Sequence, residues 1–150
     1  MVEFKSFMPR ALELAKAAAV ANEVPVGAVI VCDGEIIAEA RNDMRVANDP
    51  TQHAELNAIR QACQRLGRER LHECDLYVTL EPCAMCAGAI ANARIRRLYF
   101  GADDPKSGGV LHGARVFDHP QCHHRPEVYD GICADDARRL LQDFFKQKRG

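Results

Sequence analysis

The sequence predicts an α/β fold on two observations, within the composition of an ordinary globular chain. Helix-like and strand-like stretches alternate along the 150 residues, which favours a layered domain. Two strand-like runs flank Asp33-Gly34, a pair suited to a tight hairpin. A composition of 47% apolar residues with a net charge of −1 is that of a soluble globular chain. That length suits one domain over residues 1–150 with a real core.

The elements follow in order. Phe4, Met8, Leu12, Ala15 and Ala19 recur at helical spacing, so a helix is expected over about 4–21, with Pro9 tolerated near its first turn. Ala28–Cys32 and Ile36–Ala38 form the hairpin strands. Asp49-Pro50-Thr51 offers caps for a helix running through about Leu66. Leu76–Leu80 reads as a strand, the Ala-rich 83–93 as a helix, Leu98–Phe100 as a strand and Ala134–Lys148 as a closing helix. Residues 102–126 have no clear period and hold most of the histidines, and long irregular segments are often functional.

Several function classes are disfavoured. The near-neutral charge gives no global nucleic-acid signature, so any RNA binding must use local basic patches. No apolar run approaches membrane-spanning length. The opening Met1-Val2-Glu3-Phe4-Lys5 lacks the pattern of a secretory signal. Seven cysteines, an odd number, then point to reduced thiols and a cytoplasmic location.

The chemistry concentrates in two motifs, His53-Ala54-Glu55 and Pro82-Cys83-Ala84-Met85-Cys86. One imidazole and two thiolates suit a zinc ion that keeps a fourth position for water, the pattern of a catalytic rather than a structural site. Cys83 and Cys86 share one face at a helix start, where the helix dipole favours thiolates. Pro82 suits the first helical position or the residue before it. Glu55 stands about 200° around a regular helix from His53, which makes it a poor second ligand from the same face. Taken alone, the C-x-x-C pair could equally be structural zinc, a redox pair or two buried thiols.

The chain resembles the cytidine deaminase-like superfamily and, within it, the bacterial tRNA-specific adenosine deaminases. The two motifs carry the superfamily resemblance. The flanking blocks Glu23–Val29, Asp49–Glu55, Tyr77–Cys86, Gly101–Gly108 and Asp143–Phe145 carry the closer one. The resemblance implies a three-layer α/β/α domain with a central mixed sheet. It implies one zinc per chain on His53, Cys83 and Cys86, with Glu55 as the proton shuttle that turns adenosine into inosine. It implies that Asn42 meets the target nucleoside and that Asp104 and Lys106 lie on a loop near it. Arg138, Arg139, Lys146, Lys148 and Arg149 would then meet phosphates of a tRNA anticodon stem-loop, that of an arginine tRNA. It implies a homodimer.

Two alternatives share these motifs. One is a deaminase of a free base or nucleoside; the other is a zinc-stabilised RNA-binding subunit without catalysis, against which the presence of Glu55 speaks. His112, His119, Cys122, His123 and His124 form a separate dense group. They could hold a second metal, but loop histidines more often stack on bases, pair with phosphate or have no functional role.

Overall fold

Asp33 and Gly34 both adopt positive φ, 51° and 76°. They reverse the chain between β1 (Gly27–Cys32) and β2 (Glu35–Arg41). The computed structural model describes residues 5–149. β3 (Cys74–Leu80), β4 (Arg97–Ala102) and β5 (Glu127–Tyr129) complete a five-stranded sheet in the order β2-β1-β3-β4-β5. β1 pairs antiparallel with β2 and β3, whereas β3, β4 and β5 run parallel, so the sheet is mixed.

Helices cover both faces. Alternation along the strands sends Val29, Val31, Tyr77 and Tyr99 toward α1 (Met8–Val20) and α5 (Ala134–Arg149). The opposite set, including Ala28, Ile30, Leu76, Val78 and Phe100, packs under α3 (Ala54–Leu66) and α4 (Ala84–Ala93). The result is the expected three-layer α/β/α arrangement. Strands β1 and β3 are buried on both faces, which explains their near-continuous apolar runs.

Several boundaries differ from the expectation. α1 starts at Met8, with Pro9 inside its first turn where a missing N–H costs nothing; Phe4 lies outside the described residues. Asp49 does not cap α3. Its carboxylate accepts the Thr51 N–H at 2.8 Å and the Thr51 hydroxyl at 2.7 Å, closing a local turn. The cap position of α3 is His53. Pro82 likewise sits one residue outside the cap of α4, which is Cys83 in an extended conformation. A short helix α2 (Met44–Ala47), a 3₁₀ turn at Val116–Asp118 and β5 had no counterpart in the periodicity. Each is only three or four residues long, too short to show a period.

Candidate active site

The candidate site forms where the first turns of α3 and α4 meet beside the C-terminal end of β3. His53 is the cap residue of α3, in an extended conformation, and donates no capping side-chain bond. Its neighbour's amide is satisfied from elsewhere: Asn42 Oδ1 accepts the Ala54 N–H at 2.8 Å. The imidazole is therefore available to face α4. Cys83 caps α4 and Cys86 occupies its first turn, so both sulfurs project from one helix end.

The three side chains converge. His53 Nδ1 stands 3.6 Å from Cys83 Sγ and 3.5 Å from Cys86 Sγ. All three donor atoms lie within 4.8 Å of one another. Tetrahedral zinc with Zn–S near 2.3 Å and Zn–N near 2.1 Å separates its N and S donors by about 3.6 Å. The donor set and its spacing thus fit zinc with His53 Nδ1 as the nitrogen ligand. The thiols share charge unequally. Cys83 is pulled down to about 4, first by its hydrogen bond with Cys86 and then by His53, against burial. Cys86 is pushed up by the same contact with Cys83 and by burial.

Glu55 follows in the first turn of α3. It is buried and does not join the three converging donors. Its carboxyl interacts with the Cys86 thiol. Burial raises it to about 7, with a further push from the Cys83 thiolate. A carboxyl poised near neutrality, beside but outside a metal-competent set, can both take and give a proton at pH 7.

The remaining candidates are placed differently. Asn42 is buried and bridges two elements: Nδ2 donates to the Val24 carbonyl at 3.2 Å while Oδ1 holds Ala54. Asp104 Oδ1 accepts the N–H groups of Lys106 and Ser107, both at 3.1 Å, and so shapes its own loop. Lys106 is exposed. In α5, Arg138 reaches Asp103 and Asp135, and Arg139 reaches Asp136. Lys148 lies over the Phe144 ring, and Lys146 and Arg149 are exposed near it.

The histidine-rich loop does not bring its donor atoms together into a converging group. His124 Nε2 meets the Ile95 carbonyl at 2.6 Å, and Cys122 Sγ donates to the His124 carbonyl at 3.1 Å. His112 Nε2 turns to Asp103 at 3.0 Å. Among the described residues the converging donor groups are His53/Cys83/Cys86 and a separate Cys32/Glu73/Cys74.

Two buried carboxylates were invisible as functional residues in the sequence. Glu81, directly before Pro82, has Oε1 accepting the Asp104 N–H at 2.9 Å, and Oε2 accepting those of Val110, Leu111 and His112 at 3.1, 2.9 and 3.1 Å. It fastens the 103–112 loop beside the Cys83 helix start. Gly109 makes the approach feasible: a Cβ there would lie 2.5 Å from Ala84 N. Glu23 accepts the N–H groups of Arg45 and Val46 and braces α2 on the other side. In the sequence they stand inside the blocks Glu23–Val29 and Tyr77–Cys86, each beside a proline-containing, otherwise apolar stretch, with no role attached to them.

Residues 2–149 match the profile of the MafB19-like deaminases. The tRNA-specific adenosine deaminase of Agrobacterium fabrum is 54% identical over 149 residues, covering 99% of this chain and 98% of that protein. A solved tRNA:A34 deaminase, studied for A-to-I editing at the wobble position of transfer RNA, superposes with a TM-score of 0.89 at 55% identity, covering 90% of this chain and 98% of that one. The guanine deaminase of Bacillus subtilis superposes with a TM-score of 0.67 at 35% identity, covering 99% and 96%. With a family profile along nearly its whole length and relatives sharing more than half its residues, the chain belongs to the MafB19-like deaminases and, among them, to the tRNA-specific adenosine deaminases.

Proposed function

We propose that this chain is one zinc-dependent deaminase domain that converts adenosine to inosine at the wobble position of a tRNA, with an arginine tRNA as the expected substrate. The observation that carries the chemistry is the convergence of His53 Nδ1 with the Cys83 and Cys86 sulfurs beside the buried Glu55. The choice of tRNA over a free base rests on the high identity to relatives named for that substrate.

His53, Cys83 and Cys86 would hold one zinc. Bound zinc supplies a hydroxide nucleophile at neutral pH by lowering the pKa of water. Glu55 would take one proton from the water and pass it to the ring nitrogen next to C6; it would then take the proton of the hydroxyl added at C6 and pass it to the amino group, which leaves as ammonia as the C6 carbonyl forms. Its elevated pKa suits this cycle, because an acid–base group works best near the operating pH. Asn42 fixes the first turn of α3, on which His53 and Glu55 both ride. The loop bearing Asp104 and Lys106 contacts nucleotides flanking the target, and the basic end of α5 meets stem phosphates. An anticodon-loop base is already unpaired, so extruding it costs little.

The reading includes a cytoplasmic homodimer. Among the described residues no helix is long and apolar enough to cross a membrane. Met85 and Leu111, 40% and 37% exposed, put apolar surface next to the site that a second copy can cover. Light scattering of the purified chain tests the dimer.

The decisive assay is mass spectrometry of purified tRNA, free adenosine, guanine and cytosine incubated with the enzyme, with and without a zinc chelator. Inosine in tRNA that disappears on chelation is the expected result. Efficient turnover of a free base, with an inert anticodon stem-loop, would move the chain to the small-molecule deaminases.

A further inference from the structure

We propose that Cys32, Glu73 and Cys74 form a second cation site, for a thiophilic divalent ion such as zinc, at the pole of the sheet opposite the candidate active site. The register of β1 and β3 sets Cys32 directly across from Cys74. Cys74 gives its N–H to the Leu71 carbonyl rather than to Cys32. That is the pattern of a non-hydrogen-bonded cross-strand pair, in which side chains approach most closely. Glu73, one residue before β3, brings Oε1 to 3.8 Å from Cys32 Sγ, and all three donor atoms lie within 4.8 Å of one another.

The chemistry is that of a metal site. Two sulfurs and a carboxylate oxygen are zinc donors, and thiolates discriminate against magnesium and calcium. A tetrahedral ion needs donors about 3.6 Å apart, so the group has only to contract slightly. Asp33 Oδ2, 3.9 Å from Cys32 Sγ, adds negative charge on the open side. Cys74 is fully buried, while Cys32 and Glu73 are half-buried, so an ion reaches the group from the Cys32 side. Arg68 now pairs with Glu73. It stands where a cation is wanted, and its side chain is exposed enough to swing away. On binding, both thiol protons pass to solvent and two metal–sulfur bonds replace the two S–H bonds. The ion would tie the β1–β2 turn to the start of β3, about 20 Å along β3 from the Cys83 helix start. The donors are wholly separate from His53, Cys83 and Cys86, so this site stands or falls independently of the proposed function.

The test is equilibrium dialysis of the full-length, zinc-loaded chain against zinc, with a phosphine reductant present. Wild type is expected to bind a second, weaker equivalent, which Cys32→Ser removes. Glu73→Gln should weaken it by about tenfold, ~1.4 kcal/mol. Arg68→Ala should tighten it, since a competing cation is gone; a purely structural role for the thiols would not respond this way. Cys83→Ser should leave this second equivalent in place while removing the first. The proposal is overturned if Cys32→Ser retains the wild-type stoichiometry, if wild type binds one equivalent with both thiols reduced, or if peptide mapping under the dialysis conditions finds Cys32 and Cys74 joined as a disulfide.

Discussion

Asn42 and Ala54 are joined by a 2.8 Å hydrogen bond from the Ala54 N–H to the Asn42 side-chain carbonyl. Ala54 lies between His53 and Glu55, so this single bond caps the helix turn that carries both. Asn42→Ala is expected to leave that buried N–H unsatisfied and lower stability by roughly 1–3 kcal/mol. It should also reduce single-turnover deamination in a sample that still contains zinc. Thermal melts together with zinc-normalised rates check this; an unchanged rate per zinc would confine Asn42 to stability.

Glu55→Gln should keep the fold and the metal but lose turnover. The side chain is buried where charge is disfavoured, so a neutral isostere costs the fold nothing and should not lower Tm. Proton transfer by a positioned side chain contributes roughly 10²–10⁴-fold, and Glu55 is asked to act more than once. A single-turnover rate near that of wild type would remove Glu55 from the mechanism.

Cys83→Ser and Cys86→Ser should each abolish the tightly held zinc. One such zinc per chain is expected in wild type. Metal binding and local folding are linked, so both variants should also melt earlier. Elemental analysis of a folded, active wild-type sample that contains no zinc would defeat the proposed mechanism.

Glu81→Ala strips the acceptor from four backbone N–H groups of the 103–112 loop. A cost of about 3 kcal/mol or more is expected, because each buried donor left unpaired is expensive. Limited proteolysis should find new cleavage between Asp103 and His112. A loop as resistant as in wild type would show that other contacts hold it.

Truncation after Phe145 removes Lys146, Lys148 and Arg149, all exposed. Binding to an anticodon stem-loop should weaken and its salt dependence flatten. The slope of log K against log salt should fall by roughly 0.7–0.9 for each phosphate that is no longer neutralised. Zinc content should not change, because the candidate ligands lie at the starts of α3 and α4. A salt slope identical to that of wild type would exclude the tail from phosphate binding.

The sequence alone determined the α/β class, the Asp33-Gly34 hairpin and the identity of the three metal-competent side chains. These follow from local chemistry: periodicity over several residues, a dipeptide that tolerates positive φ, and donors whose types and spacing suit one ion. It misplaced the start of α3, since the capping acceptor for Ala54 comes from Asn42 in a different segment and Asp49 is engaged by Thr51. It also left the Cys122–His124 group open between metal and other roles. Tertiary contact with the Ile95 carbonyl turns His124 elsewhere. The work of Glu81 and Glu23, the pairing of Cys32 with Cys74 and the near-neutral carboxyl of Glu55 belong to the fold alone. Each depends on burial or on neighbours distant in sequence, and neither can be read from a residue's type or its local spacing.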